Sequence, residues 1–139
     1  MPKKLILLIE DDPNMAYLLQ FMLEREGYEV AHLQDGNMAK SHLEVGRACD
    51  LIILDLMLPY VDGFELLKLI RMAPQTTQTP VIVLSAKEQE ADVVRAFSMG
   101  CDDYVKKPFV PGELLARIRR HVQKLSAACH SEPTSDTSS

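Results

Sequence analysis

Two patterns of hydrophobic and polar positions alternate along the chain. Short apolar runs, typical of buried strands, are separated by stretches in which apolar residues recur every three or four positions, as on one face of a helix. The first such stretch carries Met15, Leu18, Leu19, Met22 and Leu23. The apolar runs predict strands at Leu5–Glu10, Tyr28–Leu33, Leu51–Leu54, Val81–Leu84 and, as the shortest, Tyr104–Val105.

Helices are predicted between these strands. Pro13 suits the first turn of the first helix, with Asp11 or Asp12 as its cap, and Gly27 ends it. The other helices are expected over Met38–Leu43, from Gly63, after the fourth strand up to Gly100, and from about Pro111 to Leu125.

Five strand–helix repeats predict an α/β fold, a doubly wound five-stranded parallel sheet with helices on both faces. Right-handed crossovers leave few topologies, and we expect the flavodoxin-like strand order 2-1-3-4-5 with five helices. In such a sheet ligands bind beyond the carboxyl ends of the strands, here between strands 1 and 3. We expect one domain over residues 1–126 and a disordered tail or linker over 127–139, where the apolar pattern has stopped.

The composition narrows the function classes. A chain of 139 residues with a net charge of −5 lacks the basic surface of most nucleic-acid-binding domains, so no direct nucleic-acid binding is expected. The first apolar run is too short for a signal peptide, and no stretch reaches the length of a membrane span. Three scattered cysteines without a CxxC pair agree with a cytoplasmic protein that has no membrane contact.

Acidic residues follow two of the predicted strands directly. Glu10, Asp11 and Asp12 end or follow strand 1, and Asp55 follows strand 3. If these strands are neighbours, the carboxylates share one crevice, where two unit charges about 4 Å apart repel by roughly 4 kcal/mol at an effective dielectric constant of about 20. A hard divalent cation relieves this repulsion, and Mg²⁺ suits carboxylate and water ligands best.

A hydroxyl and an ammonium group reach the same edge of the sheet. Ser85 follows strand 4 and Lys107 follows strand 5. Taken singly, each of these residues is more often a helix cap, a turn residue or a solvated charge than a functional group. Their ordered recurrence at strands 1, 3, 4 and 5 instead predicts a site where Asp55 accepts a phosphoryl group while a metal ion and Lys107 neutralise its oxygens.

Four segments of the chain resemble the receiver domain of two-component response regulators. They are LLIEDDPNM, LIILDLMLPYVDGFELL, TPVIVLSAK and GCDDYVKKPFVPGELLARIRR, and the resemblance covers nearly everything from residue 4 to 125. It implies a signalling phosphoacceptor and not an enzyme in the usual sense. A sensor histidine kinase would donate the phosphoryl group, and the domain itself would catalyse its phosphorylation and dephosphorylation.

The resemblance also implies roles for the residues at the strand ends. Asp55 matches the phosphoacceptor, and Lys107 matches the lysine that contacts the phosphoryl group, before a Lys107–Pro108 bond that is usually cis in the family. Asp11 is implied as a direct Mg²⁺ ligand and Glu10 as one that acts through water. Met57 would supply its backbone carbonyl to the metal.

Signalling is expected to involve a hydroxyl and an aromatic ring. Ser85 matches the family's switch hydroxyl and Tyr104 its switch aromatic. A phosphorylated Asp55 would attract the Ser85 hydroxyl, Tyr104 would turn inward, and the face built from helix 4, strand 5 and helix 5 would change shape. That face would control an output domain or a partner.

The last segment resembles the subclass that dimerises through helices 4 and 5. Asp103 and Arg117 match positions that pair across that interface, whereas Val93 stands where the subclass usually has a basic residue that pairs with Glu113. A phosphorylation-dependent homodimer and an exposed Glu113–Arg117 pair on one helix are therefore both compatible with the sequence.

Other functions fit parts of the pattern. An aspartyl-phosphate phosphatase also uses a strand-end aspartate and Mg²⁺, but it needs a second acid two residues later, where this chain has Met57. An interaction module that has lost phosphorylation would not need the complete set of residues. No glycine-rich phosphate loop follows strand 1, which disfavours a nucleotide-binding site. The receiver interpretation therefore ranks first.

Overall fold

The computed structural model of the protein describes residues 2–87 and 89–123. The strands are β1 (Leu5–Ile9), β2 (Glu29–Leu33), β3 (Leu51–Leu54), β4 (Val81–Ser85) and β5 (Asp103–Lys106). The helices are α1 (Pro13–Arg25), α2 (Gly36–Val45), α3 (Gly63–Met72), α4 (Glu90–Ser98) and α5 (residues 111–123). No helix within these ranges combines the length and the apolar character that crossing a bilayer requires. The tail predicted over 127–139 and the boundary at residue 126 lie outside the described residues.

The five strands form one parallel sheet in the order β2-β1-β3-β4-β5, which confirms the predicted fold class. β1 lies between β2 and β3, and Leu8 is in register with both His32 and Ile53. The carboxyl ends of β1 and β3 therefore meet at the point where the winding order reverses, where ligands bind in sheets of this type.

Side chains on the two faces of the sheet fill two separate cores. Successive residues of a strand point to opposite faces, so Leu7 and Ile9 pack into one core whereas Ile6 and Leu8 pack into the other. The first core includes residues of α2, α3 and α4, and the second includes residues of α1 and α5. β3 and β4 are buried along their whole length, as their continuous apolar sequence predicts.

Aspartate side chains cap α1 and α2. Asp12 accepts a hydrogen bond from a backbone N–H of the first turn at 3.0 Å, so it, and not Asp11, is the cap of α1. Asp35 accepts one from the Met38 N–H at 2.9 Å, and α2 begins at Gly36 instead of the predicted Met38. The hydrophobic pattern placed this start too late because the first helical residues after the cap have no apolar side chain.

One arginine connects several elements at the amino-terminal edge of the sheet. Arg71, near the end of α3, donates to the carbonyl oxygens of Thr79 and Gly100, each at 2.7 Å. It also pairs with Asp102 at 2.9 Å, whose carboxylate accepts a hydrogen bond from the Val81 N–H at 2.8 Å. This group, the Arg71 clamp, fixes α3, the start of β4 and the turn between α4 and β5 to one another.

The loop after β3 passes close to the first residue of α3. Gly63 donates its backbone N–H to the carbonyl oxygen of Leu56 at 3.3 Å. A Cβ atom at position 63 would lie 2.5 Å from that oxygen, closer than van der Waals contact allows, so glycine is required for this approach. The contact holds the loop that directly follows Asp55.

Candidate functional site

Asp55 lies just beyond β3, with 4% of its surface exposed. Its Oδ1 accepts a hydrogen bond from the Met57 backbone N–H at 2.9 Å, and its Oδ2 accepts one from the Lys107 ammonium at 3.0 Å. The Asp55 backbone N–H donates to the Ile9 carbonyl at 3.0 Å, which ties the residue to the end of β1. The carboxylate is therefore oriented by a donor from its own loop and by a donor that follows β5.

Three carboxylates meet beside the ends of β1 and β3. One oxygen each from Glu10, Asp11 and Asp55 lies within 4.8 Å of the other two. Glu10 is buried and Asp11 is half-buried, so the cluster opens to solvent on the Asp11 side. Mg²⁺ binds a few carboxylates and keeps several waters, so this set of hard oxygen donors fits a magnesium ion.

Lys107 compensates part of the negative charge of this cluster. Its ammonium contacts Glu10 Oε1 at 2.9 Å as well as Asp55. Burial by itself would lower the pKa of Lys107, but the bonds to the two carboxylates raise the pKa above its ordinary value, so the side chain stays charged. Three carboxylates against one ammonium leave an excess of negative charge that a divalent cation would neutralise. The Lys107–Pro108 peptide bond is cis, as the family resemblance implies.

Glu10 holds a proton more tightly than an ordinary glutamate. Burial raises the pKa of Glu10 to about 7, because the bond to Lys107 offsets only part of that effect and the charge of Asp55 adds to it. Its second oxygen, Oε2, accepts a hydrogen bond from the Asp12 backbone N–H at 3.2 Å. Near neutral pH the Glu10 side chain is therefore balanced between its acid and carboxylate forms, and a bound cation would favour the carboxylate.

Ser85 and Tyr104 are connected through the backbone of Lys87. The Lys87 N–H donates to the Ser85 hydroxyl at 3.3 Å, and the Lys87 carbonyl accepts a hydrogen bond from the Tyr104 hydroxyl at 2.8 Å. Ser85 is buried and Tyr104 is half-buried. A displacement of the Ser85 hydroxyl would therefore reach the aromatic ring through a single residue.

The residues expected at a dimer face bond to one another within one chain. Arg117 contacts the Asp103 carboxylate at 2.8 Å and Glu113 at 3.5 Å. His121 Nε2 lies 3.2 Å from Asp103 Oδ2. Asp103 thus links β5 to α5 inside a single molecule, and Val93 contributes an apolar side chain to the neighbouring α4.

His32 is a neighbour of the acidic cluster that the sequence did not indicate. It lies on β2, and its Nε2 is 2.8 Å from the backbone carbonyl oxygen of Glu10. No motif or ligand spacing marks this histidine. Strand register is the signal that could have found it. β2 is parallel to β1, and His32 lies opposite Leu8. Because Leu8 is two residues before Glu10, this register places His32 close to the acidic cluster.

The sheet order and the strand-end acids define a class of protein. The family model for the response regulator receiver domain matches residues 6–119, and the chain therefore belongs to the response regulator receiver domain family. Receiver domains are signalling modules of two-component systems, and they receive phosphoryl groups from histidine kinases.

Among particular proteins, the chain is similar to two bacterial regulators. It is 41% identical over 119 residues to the phosphate regulon transcriptional regulatory protein PhoB of Rhizobium meliloti, a match that covers 86% of this chain and 52% of that protein. It is 39% identical over 119 residues to the DNA-binding response regulator MtrA of Mycolicibacterium smegmatis, with 86% of this chain and 50% of that protein covered. The chain spans about half the length of the curated relatives that it matches.

A solved receiver domain has the same fold. The receiver domain of sensor histidine kinase PA1611 from Pseudomonas aeruginosa PAO1, with a magnesium ion coordinated in its active-site cleft, matches with a TM-score of 0.80 and 31% identity. The match covers 88% of this chain and 99% of that chain.

Proposed function

We propose that the chain accepts a phosphoryl group on Asp55 from a sensor histidine kinase, in a reaction that depends on Mg²⁺. The observation that carries this proposal is the meeting of Asp55 with two further acids and Lys107 at one end of the sheet. Phosphoryl transfer to an aspartate requires a carboxylate with a fixed orientation and positive charge beside it, which the adjacent ammonium and a divalent cation held by the excess negative charge would supply.

The Asp55 carboxylate would act as the nucleophile. One of its oxygens forms a bond to phosphorus while the bond from phosphorus to the donor breaks, and the leaving group keeps the electron pair. Lys107 balances charge on the oxygens of the transferred group, and the Met57 N–H keeps the carboxylate oriented. Because these groups belong to the domain, it would catalyse its own phosphorylation, and water would later hydrolyse the acyl phosphate.

Glu10, Asp11 and Asp55 would hold the Mg²⁺, together with the backbone carbonyl of Met57. The bound ion supplies charge neutralisation for the oxygens of the phosphoryl group. The hard oxygen donors and the excess negative charge of the cluster support this assignment, as does the magnesium ion in the cleft of the PA1611 receiver domain.

Ser85 and Tyr104 would transmit the state of Asp55 to the face formed by α4, β5 and α5. The phosphoryl oxygens offer new acceptors to the Ser85 hydroxyl, which now accepts from Lys87. Movement of that hydroxyl would disturb the Lys87 carbonyl that Tyr104 contacts.

The altered face would control an output domain or a separate partner. No nucleic-acid contact by this chain itself is expected at its net charge of −5, although the relative MtrA is named as DNA-binding.

The phosphoacceptor is tested by incubating the protein with acetyl phosphate and Mg²⁺ and measuring phosphate incorporation by mass spectrometry. Asp55→Asn should abolish incorporation with the fold intact by circular dichroism, because an amide oxygen is a far weaker nucleophile than a carboxylate. Asp35→Asn is the matched control. It removes a charge at the same edge of the sheet but keeps a capping side chain, so incorporation should persist.

Two outcomes would contradict the proposal. Undiminished incorporation in Asp55→Asn would assign the acceptor to another residue. No incorporation in the wild-type protein would favour the interaction module that has lost phosphorylation. The aspartyl-phosphate phosphatase has no support, because Met57 occupies the position of its second acid.

A further inference from the structure

A histidine on β2 holds the backbone of the acidic cluster. His32 Nε2 lies 2.8 Å from the carbonyl oxygen of Glu10. A carbonyl oxygen can only accept a hydrogen bond, so the proton is on Nε2 and the imidazole is the donor. The backbone N–H of Glu10 donates to the Leu33 carbonyl at 3.2 Å. Both polar backbone groups of Glu10 are therefore bonded to β2.

The carbonyl that His32 contacts belongs to the peptide group between Glu10 and Asp11. Because that group is planar, a bond to its oxygen also fixes the orientation of the Asp11 N–H and the direction in which the chain leaves β1. The paired register of the two strands stops at Ile9 and Leu33. At the point where backbone pairing ends, a side chain from β2 supplies the donor.

We infer that His32 is a positioning residue for the Mg²⁺ site, whose Nε2–H holds the Glu10–Asp11 peptide group so that both acids can bind the ion together with Asp55. The inference rests on the metal site of the proposed function. His32 acts through the backbone, as residues behind the direct ligands of metal sites do. His32 is half-buried, so water can replace its hydrogen bond when the ring is removed, but water does not impose an orientation on the peptide group.

Isothermal titration calorimetry of Mg²⁺ binding, without any phosphoryl donor, tests this role. At a fixed pH of about 8, where an ordinary histidine is neutral, His32→Ala should raise the Kd for Mg²⁺ about tenfold. His32→Gln should restore most of the affinity, because its amide can donate to the same carbonyl. His42→Ala, which removes a half-buried histidine of α2, should bind Mg²⁺ like the wild type.

The outcomes separate this role from the metal site itself. A wild-type Kd in His32→Ala, or equal losses in the Ala and Gln variants, would overturn the role of His32 and leave the metal site in place. Failure of the wild-type protein to bind Mg²⁺ would overturn both. The wild type also offers a test that needs no variant: nitrogen chemical shifts of the His32 ring should show the proton on Nε2, and a proton on Nδ1 alone would refute the hydrogen bond.

Discussion

Asp103 shows how a single carboxylate links a strand to a helix. Burial alone would raise the pKa of Asp103, but hydrogen bonds from Arg117 and His121 lower the pKa below its ordinary value of 3.8. The carboxylate therefore stabilises the fold above the pKa of the unfolded chain, and this contribution is lost as the pH falls through the lower pKa of the folded state.

Asp103→Asn should lower the free energy of unfolding by about 1 kcal/mol at neutral pH, a value reduced by the partial exposure of Arg117. The difference from the wild type should be smaller at about pH 3, below the ordinary pKa of 3.8, because the stabilisation is lost as the pH falls through the lower pKa of the folded state. Urea unfolding of both proteins at neutral pH and at about pH 3 measures this difference in the free energy of unfolding. Glu44→Gln, at an exposed position of α2, is the control. A difference for Asp103→Asn that does not change with pH would contradict the expectation.

The residues of the site differ in whether the sequence pattern alone could identify them. Asp55 and Lys107 could be named because strand ends follow from the apolar pattern and parallel strands end at one edge. His32 was not named, because its contact is to a backbone carbonyl twenty-two residues away in the chain. Strand register brings it near Glu10, but no side-chain pattern encodes the bond. The same reason hid the Lys87 carbonyl as the partner of Tyr104.

At the scale of elements, alanine substitutions at two glycines test how closely α3 packs against the loop after β3. Gly63→Ala should destabilise the protein by about 2 kcal/mol, because its Cβ would overlap the Leu56 backbone. Gly112→Ala should be neutral or stabilise by up to about 0.5 kcal/mol, because a Cβ at that position of α5 meets no atom within 4 Å. Thermal unfolding of both variants measures the contrast. Equal stability of the two variants would show that the loop after β3 can move away from position 63 without destabilising the fold.

Existence and order of the helices and strands followed from the periodicity, whereas their ends depended on capping. The start of α2 moved to the residue after Asp35 because a cap is a hydrogen bond and not an apolar contact. The close approach at Gly63 is a contact of two backbones, which a pattern of side chains cannot reveal. Element ends are thus set by the polar groups that the hydrophobic pattern leaves out.

At the scale of the whole molecule, the bond between Arg117 and Asp103 lies within one chain. We expect beryllium fluoride with Mg²⁺, a mimic of the phosphoryl group, to convert a monomer into a dimer through the α4–β5–α5 face. Arg117 would then exchange its partner for Asp103 of a second copy. Light scattering with and without the mimic measures the change.

Arg117→Ala should prevent this dimer without changing Mg²⁺ affinity, and Arg120→Ala, which alters an exposed residue of the same helix, should dimerise normally. The same molar mass with and without the mimic would show that the phosphoryl group does not cause dimerisation. This measurement is informative because Val93 stands where the subclass usually has a basic residue. The ion pair that such a residue would form with Glu113 is therefore absent.

The overall topology was predictable since five strand–helix repeats and right-handed crossovers allow few arrangements. The partner that each charged residue takes was harder to predict. Asp103 and Arg117 match positions that pair between molecules in relatives, and within one molecule they also lie close enough to bond. Core packing sets that distance between β5 and α5, and the pairing between molecules stays a prediction.

The Arg71 clamp gives α4 one anchored end. Gly100, just after this helix, is bonded to α3 through the Arg71 guanidinium, whereas the first residue of the helix, Glu90, comes shortly after Ser85 at the end of β4. Under the proposed function, a rearrangement that begins at Ser85 would therefore pivot α4 about its anchored end. The displacement would be greatest at the first turn, so we expect a partner that recognises the phosphorylated protein to contact the beginning of α4 and not its end.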